Sequence, residues 1–116
     1  CNTAVTIQSN NTYNINSFSG SSTTPCFGLL TVSGEALQTY WYKYIPTQSG
    51  LVSINSNLPA NESPNSENTR LSILTGNCGA LTCYDSADDV NAAGQLFLTN
   101  LTFPVQAGNT YYIVWD

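Results

Sequence analysis

Histidine is absent from the 116 residues, and only two of them, Lys43 and Arg70, are basic. Without imidazole the chain has no Ser-His-Asp or Cys-His nucleophile system and no zinc site that needs a histidine ligand, which removes most hydrolase chemistry. Two basic against seven acidic residues leave a formal charge of -5 at pH 7. Such a balance repels phosphate, so nucleic acid and anionic membrane surfaces are not expected partners. No apolar run approaches the length that crosses a bilayer as a helix. Charge of either sign is scarce, at 8% of residues, while Asn, Ser and Thr supply more than a third of the chain, so solubility rests on amides and hydroxyls. With 41% hydrophobic residues the chain has material for one core and one domain over 1–116, and no room for a second.

What is present points outside the cell. Four cysteines in a short chain read as two disulfides formed in an oxidising compartment, extracellular or at the cell surface. The chain opens at Cys1 without Met or a signal-peptide pattern, so it reads as a processed product or a piece of a larger secreted protein whose neighbouring domains are its first partners.

Short runs of β-branched and aromatic residues alternate with turn clusters such as Ser19-Gly20-Ser21, Thr47-Gln48-Ser49-Gly50 and Ala107-Gly108-Asn109. The spacing predicts an all-β antiparallel sandwich with strands over Ala4–Gln8, Thr12–Phe18, Leu37–Ile45, Leu51–Asn55, Arg70–Leu74, Gln95–Val105 and Thr110–Trp115. Almost no helix is expected, the nearest approach to a helical turn being Val32–Leu37. Period-two alternation puts Tyr40, Tyr42 and Tyr44 on a core face, with Trp41 and Lys43 opposite. It likewise sends Val52, Ile54, Leu71 and Ile73 inward, and aligns Leu101, Phe103 and Val105, then Tyr111, Ile113 and Trp115. The stretch Asn57–Asn68, with two prolines and several Asn and Ser, carries no period and reads as a long exposed loop.

Four cysteines allow three connectivities, and spacing alone does not choose among them. Cys78 and Cys83 enclose only four residues, a loop that closes locally if the chain turns at Gly79, which leaves Cys1 for Cys26. The expected pairs are therefore Cys1–Cys26 and Cys78–Cys83. Neither spacing is Cys-x-x-Cys and no basic neighbour activates a thiol, so both bonds read as structural.

Three segments carry a family resemblance: 41–50 (WYKYIPTQSG), 70–78 (RLSILTGNC) with Cys83-Tyr84-Asp85, and 107–113 (AGNTYYI). In order and spacing they resemble the bacterial pre-peptidase C-terminal domain, in the disulfide-bearing form found in secreted multidomain proteins. The resemblance covers most of the chain. It implies a jelly-roll-like β-sandwich with two disulfides, appended to secreted enzymes and adhesins and lacking catalytic residues. Some members of that family bind calcium or polymeric substrates, and others aid secretion, solubility or folding. This chain has Asn68-Thr69 where many members carry Asp-Thr.

Two constellations invite a ligand. Asp85, Asp88, Asp89 and Asn91 place four oxygen-bearing side chains within seven residues of an expected loop, a donor set that suits calcium, although the fold needs no cofactor. The same residue types also serve as Asx turns and strand ends. Trp41 and Lys43 on an outward sheet face offer a flat apolar ring beside a hydrogen-bond donor, the arrangement that grips the C–H face of a sugar, with Tyr84, Tyr112 and Arg70 as extensions. Trp41 packed inside the sandwich is the alternative. The reading that follows is a non-catalytic accessory module that binds polysaccharide. The rival is a structural or adhesive domain of a surface adhesin or extracellular filament.

Overall fold

The computed structural model describes residues 1–19, 26, 38–61, 68–91, 93 and 96–116. Eight strands run through them: β1 (Val5–Ile7), β2 (Tyr40–Tyr44), β3 (Gly50–Asn55), β4 (Leu71–Asn77), β5 (Ala80–Ala87), β6 (Asp89–Asn91), β7 (Leu96–Val105) and β8 (Tyr111–Trp115). No α-helix occurs among the described residues; a 3-10 turn spans Pro59–Asn61. The strands form two sheets, β1-β2-β8-β4-β5 and β3-β7-β6. Along the chain the path changes sheet between β2 and β3, β3 and β4, β5 and β6, and β7 and β8. That interleaving of β2, β8 and β4 over β3 and β7 is jelly-roll-like. All pairings are antiparallel except the short edge strand β1, which runs parallel to β2.

The interior between the sheets is built from the residues that alternation assigned to it. Tyr42, Tyr44, Leu71, Ile73, Tyr111, Ile113 and Trp115 from the larger sheet meet Phe103 and Val105 from the smaller one, with Val52, Ile54 and Leu101 partly buried around them. Aromatic rings supply much of this contact, including Phe103 against Tyr111 at 6.0 Å between centroids. The far face of the larger sheet is not a solvated face. Leu74, Tyr112, Val114 and Cys26 form a second buried cluster there, with Cys1, Ala4, Trp41, Cys78, Leu81 and Cys83 packed against it.

The disulfides are Cys1–Cys78 and Cys26–Cys83, not the expected Cys1–Cys26 and Cys78–Cys83. The hairpin explains the difference. β4 and β5 pair from Asn77↔Ala80 down to Leu74↔Cys83, so Cys78 sits in the turn while Cys83 lies opposite a residue four positions back along β4. At about 3.3 Å per residue that offset is roughly 13 Å, about twice the Cα separation a disulfide spans. Each hairpin cysteine instead holds a cysteine from the first 26 residues, with Cα separations of 5.6 and 4.9 Å. The tight turn also needs Gly76, whose φ of +106° favours glycine and where a Cβ would stand 2.7 Å from the Ala80 carbonyl oxygen.

Other expectations shift for identifiable reasons. Thr12–Phe18 forms no strand. Its alternation is met by packing, with Ile15 and Phe18 against the interior and Tyr13 5.8 Å from Tyr42, and the Tyr13 hydroxyl accepts the Gln8 N–H. The segment Asp85–Asn91 is not a loop: apart from Asp88 it belongs to β5 and β6, which the sequence pattern did not reveal because their exposed positions mix apolar and polar residues and Gly79 dominates the local signal. The described part of Asn57–Asn68 is the expected irregular segment, and Val32–Leu37 lies outside the described residues.

Peptide mapping without reductant is expected to return fragments joining Cys1 to Cys78 and Cys26 to Cys83; a fragment joining Cys78 to Cys83 would overturn the hairpin register. Each long-range bond stabilises by about 4 kcal/mol in the chain-entropy model, so a Cys26→Ser, Cys83→Ser double variant should unfold at clearly lower denaturant. Gly76→Ala should cost about 1–3 kcal/mol, read as a lower urea midpoint with unchanged slope.

Candidate functional site

Residues proposed from sequence for a sugar-binding face separate into three places. Trp41, Lys43 and Tyr112 come together. On the far face of the larger sheet, Lys43 lies directly opposite Tyr112 and Trp41 opposite Val114, so Trp41 and Tyr112 are diagonal neighbours. Their rings meet edge to face at 6.5 Å. The Trp41 indole N–H donates to Thr39 Oγ1 at 3.1 Å, which fixes the ring plane. Tyr112 Oη stands 3.5 Å from Cys78 Sγ, and since a disulfide sulfur carries no hydrogen, the hydroxyl is the donor. Trp41 and Lys43 remain half-buried while Tyr112 is buried beneath them. Beside Trp41 a shallow depression of about 170 Å³ is bordered by Thr3, Val5, Ser19, Thr39 and Tyr40.

Tyr84 is elsewhere. A β-bulge between Ile73 and Leu74 of the pairing inserts it as the extra residue of β5, and its ring lies along the open edge of the sandwich, still 42% exposed. There it meets Tyr111 at 5.5 Å and Phe103 at 6.2 Å, both near perpendicular, and its hydroxyl donates to the Pro104 carbonyl at 2.9 Å, tying the two sheets together at the edge. Tyr84 is thus the surface aromatic that the sequence suggests, but it stands at the β5 edge, away from Trp41, because sequence periodicity has no signal for a one-residue insertion.

Arg70 is also apart from Trp41, because β8 lies between β2 and β4 and the two strands are not neighbours. Its backbone exchanges both hydrogen bonds with Asp116, extending the β4–β8 ladder one residue, and its Nε donates to Asp116 Oδ1 at 2.6 Å. Asp88, the single residue between β5 and β6 at the corner where the chain passes from one sheet to the other, is also within reach of its charge. The Arg70 charge acts on both acids.

The calcium set does not gather. Asp85 is in β5 with one carboxylate oxygen accepting the Ser86 N–H, Asp88 is at the corner, and Asp89 and Asn91 are in β6. Among the described residues no three acidic side chains converge at metal-binding spacing. The acids at this corner are instead under-solvated. Asp88 Oδ1, Asp89 Oδ1 and Asp116 Oδ2 are buried without a hydrogen-bond partner. Burial, then the nearby Asp89, pushes the Asp88 carboxyl above the usual aspartate range, against the opposing pull of Arg70. Burial likewise raises Asp116, with its bond to Arg70 opposing.

One larger groove escaped the sequence reading. It opens at the Arg70–Asp116 end, has a volume of about 460 Å³, and is bordered among the described residues by 15–18, Gln38, Asn68, Thr69 and Asp116. These positions are distant in sequence and carry no shared motif, so only the fold brings them together. No helix among the described residues is long and apolar enough to cross a membrane. Comparison with family models, curated proteins and solved structures finds no match for the chain, so the resemblance to the pre-peptidase C-terminal domain stands on its motifs.

The raised Asp88 and Asp116 carboxyls favour the protonated acid in the folded state. Their stabilising contribution is complete below the unfolded value of about 3.9 and is lost as pH rises through the higher folded values. The melting temperature should therefore rise on acidification from about pH 7 to about pH 4.5, and Asp88→Asn should raise it at neutral pH and flatten the profile. A wild-type melting temperature that falls steadily across this range would remove the argument.

Proposed function

We propose that the chain is a non-catalytic accessory module of a secreted protein and binds polysaccharide through the surface around Trp41. The observation that carries this reading is the Trp41 indole, half-exposed and locked by Thr39 and Tyr112 beside a depression with hydroxyls at its border. A pre-oriented aromatic ring stacks on a sugar at little entropic cost, and the neighbouring Lys43, Thr3 and Ser19 supply polar contacts. A formal charge of -5 favours neutral sugars over sulfated or uronate polymers. Two disulfides in a small domain fit an oxidising extracellular setting. Tethering such a module to an enzyme would raise the enzyme's effective concentration at an insoluble substrate.

A second reading, an adhesive or filament domain, is favoured by β3. An edge strand among the described residues, it carries no charge, no proline and no bulge in its pairing with β7, and Leu51 on it is 74% exposed. Edges left so open are templates for pairing with another chain.

Affinity electrophoresis in gels containing neutral polysaccharide separates the two. Wild type should be retarded, Trp41→Ala should lose about 1–3 kcal/mol of binding, and Trp41→Phe should keep most of it. Added salt should change retention little, because no phosphate-like charge is being neutralised. Absence of retardation on every neutral polysaccharide, with concentration-dependent association abolished by Leu51→Lys, would favour the adhesive domain.

A further inference from the structure

The groove at the Arg70–Asp116 end has features of a binding site that the Trp41 surface does not share. Its volume of about 460 Å³ lies within the range of small-molecule sites, which runs from about 300 to 1,000 Å³. Ile15 and Phe18, half-buried because they pack on the interior cluster, give it an apolar wall. Asn16, Ser17, Gln38 and Asn68 are exposed around it, and each side chain both donates and accepts hydrogen bonds without charge. Thr69 is already committed, sharing hydrogens with Ser56 and Thr99. Asp116 completes the border with a side chain only 8% exposed, one oxygen on Arg70 and the other buried with no partner.

We propose that this groove is a second binding site, for a neutral polyhydroxylated ring such as one hexose unit of a glycan. The chemistry selects the ligand class. An apolar wall including an aromatic ring suits the C–H face of a pyranose, and amides with a hydroxyl suit its hydroxyl groups. An anionic ligand meets a carboxylate whose neighbouring guanidinium is already bound to it. A metal ion meets one carboxylate where it needs several. A ligand hydroxyl that reached Asp116 Oδ2 would satisfy a buried acceptor that has no protein donor, a charge-assisted contact of the stronger kind. The inference rests on the glycan-binding reading but uses none of the residues around Trp41.

Heteronuclear NMR titration of the full chain with glucose, galactose, mannose and xylose, each alone, tests it. At least one sugar should shift the amides of 15–18, Gln38, Asn68, Thr69 and Asp116 together with millimolar affinity, and glucuronate should not. A Gln38→Ala, Asn68→Ala double variant, altering exposed side chains only, should keep the wild-type melting temperature and bind about tenfold more weakly. Asp116→Asn should weaken binding further, and Trp41→Ala should leave the groove shifts intact. Groove amides that ignore all four sugars, or respond equally in the double variant, overturn the proposal even if Trp41 still governs retention on polysaccharide. Groove shifts in a protein that no polysaccharide gel retards would uphold the site while removing the module reading.

Discussion

Strand β8 is buried at all five positions and hydrogen-bonded on both sides, to β2 and to β4. Its backbone is therefore fully committed, and its side chains present two apolar faces that both require a cover. The inner face, Tyr111, Ile113 and Trp115, is covered by the three-stranded sheet. Tyr112 and Val114 on the outer face have no second sheet above them among the described strands. They are covered in part by pieces with little regular structure, Cys1, Ala4 and Cys26 among them. Ordering such pieces costs about 1–2 kcal/mol per residue in backbone entropy, with few ladder hydrogen bonds to offset it. The disulfides meet this difficulty by restricting the unfolded chain: each ties a covering cysteine to the β4–β5 hairpin beneath it.

That arrangement also positions the candidate ligand surface. Trp41 stands at the margin of the outer cover, packed on the cluster yet not closed over. The ring leans on Tyr112, and Tyr112 in turn reaches Cys78 of the first disulfide. A continuous line of contacts thus runs from the crosslink to the indole, so the orientation of the platform depends on the bond that holds the N-terminal segment down. Under the proposed glycan-binding reading, stability and ligand binding would be coupled here through packing, without any moving part.

What the sequence made legible follows from which physical signals are local. Alternation in Tyr40–Tyr44, Leu71–Ile73, Leu101–Val105 and Tyr111–Trp115 named most of the interior, because a strand's two faces are written at period two. Alternation in β8 named only its inner face, Tyr111, Ile113 and Trp115; that Tyr112 and Val114 are buried as well depends on what covers the outer face, which nothing local states. Disulfide pairing was misjudged because proximity in sequence is a poor guide when a hairpin ladder holds two cysteines apart. The bulge that places Tyr84 against Tyr111 and Phe103, the corner at Asp88 and the end groove all depend on the register between distant strands, which no window of residues contains.

Charge placement narrows the ligand further than composition does. Of the two basic residues, Arg70 is engaged at the end of the sandwich, its backbone paired with Asp116 and its guanidinium bound to the same residue, with Asp88 close by at the sheet-to-sheet corner. Removing it would leave the partly buried Asp116 and Asp88 carboxyls without their opposing charge, a larger penalty than the loss of one surface contact. Arg70 is thus better placed to hold the β4, β8 and β5–β6 ends together than to reach a ligand. Lys43 is left as the basic group beside Trp41, against an acidic surface that opposes any anion. Recognition as proposed would be built from aromatic faces, amides and hydroxyls, groups in which the composition is rich. Those groups suit neutral hydroxylated ligands at both the Trp41 depression and the end groove.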